Sequence, residues 1–204
     1  MPTHDVVLRA LLLGAVLVWG GGCLGGVSAP TRFYTLLPAA VPSPGTSPGA
    51  VDLDPAIGVR PVTLPGYLDR REIVTRRGRE EIELAEFDRW SEPLTDGTTR
   101  VLAENLAVLL RTDRVILFSG RESRPVRCQI AVELARFEGA VGASVTLEAR
   151  WRILGGDGKE LTLRRSTITE AVDAGGYGPL VAAMSRALGA VSREIATAIG
   201  ELPR

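Results

Sequence analysis

The sequence predicts an α+β domain, a mostly antiparallel sheet with two amphipathic helices packed on one face. Three observations carry that expectation. Val126, Cys128, Ile130, Val132 and Leu134 alternate with polar neighbours, as do Val145, Leu147, Ala149, Trp151 and Ile153, the period of strands with one dry and one wet face. Gly155-Gly156-Asp157-Gly158 then separates a third run, Leu161 to Ala171, so the three read as an antiparallel meander. Two segments instead carry a helical period. In one, Val101, Leu102, Asn105, Val108 and Leu109 share a face opposite Arg100, Glu104, Ala107 and Arg111; in the other, Leu180, Val181, Met184, Leu188, Val191, Ile195 and Ile199 form a stripe.

The remaining elements follow in chain order. Ala10 to Trp19 is an apolar run of ten residues ending at Gly20-Gly21-Gly22-Cys23. A helix spanning a bilayer needs about 20 residues, so the run fits the apolar region of a signal peptide rather than a membrane span. Arg32 to Leu37 is aromatic and β-branched enough for a strand. Five prolines with Ser, Gly and Thr between Pro38 and Pro55 make a loop with no core of its own, which leaves the first strand as an edge element laid on from far away in sequence. Ile57 to Val59 reads as a strand, Pro65-Gly66 as a turn, and Ile73–Thr75 and Ile82–Leu84 as two arms of a hairpin around Arg77-Gly78. Ser91 or Asp96 is expected to cap the first helix, with Pro93 in its first turn. With a strand from Val115, the order is β-β-β-β-α-β-β-β-β-α, in a single domain over residues 32–202.

Composition narrows the function. Lys and Arg number 24 and Asp and Glu 24, so no net charge draws the chain to nucleic acid. The single His is His4, inside the expected leader, which excludes Ser-His-Asp and Cys-His hydrolases and most zinc sites. Cys23 and Cys128 make no disulfide framework, and Cys128 on the apolar phase of its strand reads as a small buried hydrophobe. Lys159 is followed by Glu160, so Gly155 to Lys159 is a hairpin turn and not a phosphate loop. Glu86, Asp88 and Glu92 around Arg89 and Trp90 read as a solvated strand end with local ion pairs, and Arg76, Arg77, Arg164 and Arg165 as wet-face charges. Asn105 reads as a hydrogen-bonded core residue. Tyr67, Leu68, Asp69 and Arg70 follow the Pro65-Gly66 turn, as a contact surface or as a loop tucked back onto the core. No metal, cofactor or enzymatic activity is expected.

Two resemblances sharpen this reading. The small residues running into Cys23 resemble a bacterial lipobox, with Gly20 where Leu is usual. That implies a signal peptide over residues 1–22, lipidation at Cys23 and a tether over residues 23–31; two or more acyl chains anchor firmly. Leu24 after the Cys, in place of Asp, favours delivery to the outer membrane. Phe33-Tyr34-Thr35-Leu36, Ile57-Gly58-Val59, Leu64-Pro65-Gly66-Tyr67-Leu68-Asp69-Arg70, Ile73-Val74, Arg89-Trp90-Ser91-Glu92-Pro93-Leu94, Val101-Leu102-Ala103-Glu104-Asn105-Leu106 and Ala149-Arg150-Trp151 occur in that order. Together they resemble the ABC-type transport auxiliary lipoproteins, the PqiC-like accessory lipoproteins of MCE transport systems. The resemblance implies an outer-membrane lipoprotein on the periplasmic face. It would work with an MCE-domain protein and inner-membrane transporter components to move lipid or another hydrophobic solute and keep the envelope intact. The expected contact residues are Tyr67, Leu68, Asp69, Arg70, Arg89, Trp90, Glu92 and Pro93, and homo-oligomeric assembly around a conduit would suit the role. The competing class is a lipoprotein that itself captures an apolar ligand in the periplasm; it requires an apolar pocket of several hundred Å³. A carboxylate-dependent hydrolase using Glu86 or Glu92 ranks last.

Overall fold

The structure, a computed structural model, describes residues 29–39, 56–118 and 125–202. The expected leader, Cys23, and residues 40–55 of the Pro-rich loop lie outside the described residues. The elements are β1 (Arg32–Tyr34), β2 (Ala56–Val59), β3 (Glu72–Arg77), β4 (Glu81–Trp90), α1 (Leu94–Leu110), β5 (Val115–Leu117), β6 (Val126–Gly139), β7 (Ser144–Gly155), β8 (Glu160–Ala171) and α2 (Tyr177–Gly200). Their order is the one the sequence predicts. Thr31–Arg204 forms one compact unit.

The long strand β6 organises the sheet. One edge pairs with β7 along nearly its whole length, and β7 pairs with β8, both antiparallel. The other edge of β6 is shared. Its first half takes β2, parallel; its middle takes Thr63, whose N–H donates to Val132 O at 3.0 Å and whose carbonyl accepts from Leu134 N–H at 2.9 Å; its end takes β3. From there the sheet forks, to β5 beyond β2 and to β4 and β1 beyond β3.

A mostly antiparallel sheet is therefore corrected. Among the described residues four of the seven strand pairings are parallel: β1 with β4, β2 with β5, β2 with β6, and β3 with β6. The antiparallel pairings are the meander and the β3–β4 hairpin, which turns at Gly78 with φ +73°. The physical reason is connectivity. Each antiparallel pair joins consecutive strands through a tight turn, whereas each parallel pair joins strands that are not consecutive in the chain, with a long connection between them. β2 is buried along most of its length rather than alternating, the pattern of a strand covered on both faces.

The helices pack side by side against the sheet. Trp151, Phe137, Leu134 and Ile130 from the sheet meet Leu102, Leu106 and Leu110 of α1, all at most 1% exposed, and Leu180, Met184, Leu188 and Ile195 of α2. Trp151 Nε1–H donates to Ser166 Oγ at 2.8 Å, and the Ser166 hydroxyl donates on to Glu194, so the polar edge of the largest core side chain is satisfied. Two expectations about α1 fail. Val108 is 47% exposed, because the apolar face turns instead through Leu106 and Leu110. The N-cap is Pro93, with no side-chain cap, so neither Ser91 nor Asp96 caps the helix; Asp96 lies in the first turn, where a negative charge suits the helix dipole.

β1 is also shorter than expected. After Tyr34 the chain leaves the sheet and lies across both helices. Leu37 N–H donates to Ser185 Oγ on α2 at 3.2 Å, Ala39 N–H donates to Asn105 Oδ1 on α1 at 3.1 Å, and Leu36, just before them, is buried in the core. Asn105, fully buried, also donates from Nδ2 to Ser192 Oγ on α2 at 3.2 Å. One amide thus joins both helices and the strap. Asn105→Ala should remove the partner of the Ala39 N–H and the link to Ser192, whose hydroxyl keeps its bond to Leu188 O, and lower unfolding free energy by about 1–3 kcal/mol, read as a lower urea midpoint with an unchanged m-value.

Candidate functional site

The two segments nominated from sequence meet at one cleft. Phe33, Asp69, Arg70, Arg71, Trp90, Ser91, Glu92 and Pro93 line a cleft of about 340 Å³. Backbone pairing builds it: Phe33 lies opposite Arg89 and Tyr34 opposite Trp90 in the parallel β1–β4 ladder. Trp90 N–H donates to Arg71 O at 2.7 Å and Ser91 N–H to Tyr34 O at 2.8 Å, so the edge strand, the loop and the end of β4 are laced together.

The nominated side chains divide by role. Leu68, 1% exposed, and Trp90, 6% exposed, belong to the core and fix the walls. Asp69 is exposed on the rim, with Phe33 at 65% exposure beside it. Glu92 accepts from Arg100 Nη2 at 2.7 Å and from the Thr35 hydroxyl at 3.1 Å; the Arg100 bond, against the opposing effect of burial, holds its carboxyl below the usual range. Pro93 starts α1. Arg70 and Arg89 are half-buried, and in both the Nε–H is buried without a hydrogen-bond partner among the described residues. Buried donors are seldom left so, which makes these guanidinium groups the open chemical feature here, Arg70 lining the cleft and Arg89 lying outside the lining, next to it through its register with Phe33.

Two buried carboxylates hold this region, and both were read from sequence as ordinary or passed over. Asp88 is 4% exposed, not solvated. It accepts from Arg32 Nε at 2.8 Å and Nη2 at 3.0 Å and from Tyr34 OH at 2.7 Å, a fork that fastens β1 to β4. Glu138 is fully buried. It accepts from Arg76 Nε at 2.7 Å, Tyr67 OH at 2.9 Å, the Phe137 N–H at 3.1 Å and Arg136 Nε at 3.3 Å. Arg76 is therefore a structural ion-pair partner, not a wet-face charge, and Tyr67 tucks back onto the sheet. Burial alone would raise both acids; the hydrogen bonds from Arg32 and Tyr34 to Asp88, and from Arg76, Tyr67 and Phe137 to Glu138, outweigh it and leave both pKa values lowered. The available signals were the Arg32-x-Tyr34 spacing, which puts two donors on one side of a strand, and an acid at Glu138 following the buried Phe137.

The rest of the inventory is inert. Cys128 is fully buried, and burial pushes its thiol up to about 11, so it is not a nucleophile. Among the described residues no group of three or more His, Cys, Asp or Glu is placed to hold a metal, and no helix is long and apolar enough to cross a membrane. A cleft of about 390 Å³ between Leu37, Pro38, Val181 and Ala182 is lined mainly by apolar side chains.

With this geometry, kinship follows. The family model described as ABC-type transport auxiliary lipoprotein component matches residues 34–196, and the chain belongs to that family. It is a non-catalytic accessory lipoprotein of an ABC/MCE-type transport system, lipid-anchored at the outer membrane and facing the periplasm. A search of curated proteins yields no match. Among solved structures, an uncharacterized protein superposes with a TM-score of 0.68 at 18% identity, over 84% of this chain and 99% of the other. A protein from Xanthomonas campestris gives 0.68 and 18%, over 83% and 96%. These likenesses show a shared fold.

The lowered carboxyls fix the sign of the acid response. Their contribution is fully present above the unfolded-state values, about 3.9 for Asp and 4.3 for Glu, and is lost as pH falls through the lower folded values. Stability should thus hold from neutral pH to about 4.5 and decline below it. Asp88→Asn should cost about 1–2 kcal/mol at pH 7, since Arg32 is largely exposed, and should flatten the decline. Urea midpoints at pH 7, 4 and 3 read both.

Proposed function

We propose that the cleft between β1, the 66–71 loop and the end of β4 is where this lipoprotein docks the MCE-domain protein of its transport system. The observation that carries the reading is the pair of buried, unpartnered Nε–H donors on Arg70 and Arg89 beside an exposed Phe33. That combination suits a protein segment offering a carboxylate or carbonyl next to an apolar side chain. Asp69 on the rim sets charge register, Glu92 and Pro93 fix the far wall, and Tyr67, Leu68 and Trp90 keep the loop in shape. Cys23 is the proposed lipid attachment point, residues 1–22 the signal peptide and 23–31 the tether.

Capture of an apolar ligand within the fold is the weaker reading. The space between helices and sheet is filled by Trp151, Phe137 and the leucines around them. Among the described residues an apolar solute would meet the open recess of about 390 Å³ between Leu37, Pro38, Val181 and Ala182, which lies at the surface and not within the fold.

Charge reversal tests docking. Full-length Asp69→Arg and Arg70→Glu/Arg89→Glu chains, expressed at native level, should recover the MCE-domain protein at least about tenfold less well than wild type in a pull-down, and should weaken the envelope to detergent. Unchanged recovery from correctly folded variants would rule out this surface.

A further inference from the structure

The sheet face turned away from the helices is basic where the meander crosses it. Alternation along β7 and β8 puts Arg150, Arg152 and Arg165 on this face, and register sets Arg150 directly opposite Arg165 and Arg152 opposite Leu163. A shallow cleft of about 230 Å³ brings Arg60 up to Arg150 and Arg152. Of the acids on the same face, Glu148 is paired with Arg136 and Glu138 is buried under Arg76, which leaves Glu133 opposite Arg150 and Glu160 opposite Leu154 at the start of β8. No ion pair joins Arg60, Arg150, Arg152 or Arg165 to any partner among the described residues.

Two features show that this is more than a solvated strand surface. Like charges directly opposite one another on paired strands are destabilising, so the Arg150–Arg165 pair costs the fold something that a neutral pair would not. Leu163 lies on the same face, opposite Arg152, and Leu161 sits at the bulge beside it; both are on the free edge strand, 43% and 51% exposed. Arginines whose stems lie along a flat surface with leucines at its border match a headgroup region, with guanidinium groups on phosphates and leucines at the acyl boundary. An acidic protein patch would use the charge but give the leucines at an outer edge no role.

We infer that this face, carried by Arg60, Arg150, Arg152 and Arg165 with Leu161 and Leu163, lies on an anionic phospholipid surface. It holds the domain in a fixed orientation on the membrane to which the chain is anchored. The inference stands apart from the docking cleft, whose residues come from β1, the 66–71 loop and β4.

Co-sedimentation with vesicles tests it, using the full chain with Cys23→Ser so that acyl chains do not dominate. Phosphatidylcholine vesicles give the background set by the N-terminal segment. Vesicles of equal phosphatidylglycerol and phosphatidylcholine should bind at least about tenfold more protein at low salt, and the gain should vanish in 0.5 M NaCl. Arg150→Glu/Arg165→Glu should abolish the gain and Asp69→Arg should keep it. Arg150→Gln/Arg165→Gln, which relieves the like-charge pair, should unfold no earlier than wild type in urea and still lose most of the gain, so that misfolding does not account for the loss. Equal binding to the two vesicle types, or a gain retained by both double variants, would overturn the inference. So would a double variant that loses only recovery of a protein partner, because the face would then be a protein contact.

Discussion

The carboxylate of Glu138 sits where the sheet forks, and the cleft-bearing half depends on it. β3 and β6 share a single registered pair, Thr75 with Gly139, so backbone hydrogen bonding alone joins the two halves weakly. Glu138 makes up the difference by taking Arg76 from β3, Tyr67 from the loop, and Arg136 and the Phe137 amide from its own strand. Burying a carboxylate without partners is costly, and losing one partner leaves the rest exposed to that cost. Gly139 completes the joint: a Cβ there would lie 2.2 Å from the Ser144 carbonyl oxygen on β7, so only glycine lets β6 and β7 close beyond Glu138.

The second buried acid acts at the other end of the same branch. Asp88 receives Arg32 and Tyr34, which directly follow the region proposed as tether, and so fastens to β4 the point where a load on such a tether would enter the domain. Thr35 to Ala39 then passes over Arg100, Ser185 and Asn105, which spreads that load from an edge strand onto both helices. Parallel pairing of β1 with β4 is what makes this path short. The cleft lies beside the point of attachment, held by the core through Leu68 and Trp90 while Phe33, Asp69 and the two half-buried guanidinium groups stay available. A non-catalytic accessory lipoprotein needs little more than a firm tether, a rigid body and an unsatisfied surface.

What was legible in the sequence is what long periods record. The fourteen residues of β6, the twelve of β7 and the stripe along α2 each repeat their pattern often enough to give element type, order and core face. Sheet direction was not legible, because β1, β2 and β5 have three or four residues each and pair with strands that are not their neighbours in the chain. Pairing in such strands is decided by which edge of β6 remains free, a property of the whole sheet. At the site, the approach of residues 67–70 to 89–93 followed from resemblance, since no spacing links them. Asp88 and Glu138 went unrecognised because an acid on a strand has the same one-dimensional signature whether water or arginine satisfies it. Val108 shows the same limit on a helix: its hydrophobicity placed it inward, but the buried face of α1 runs through Leu106 and Leu110.

Amide hydrogen exchange on the full-length chain, wild type against Glu138→Gln, tests the joint most directly. The substitution removes the charge that satisfies Arg76 while keeping the shape, and protection should fall by about tenfold or more in β3, β4, β1 and the 66–71 loop, with β7, β8 and α2 holding near wild-type values. Equal loss of protection across both halves of the sheet, or none in the β3–β4–β1 branch, would contradict the account.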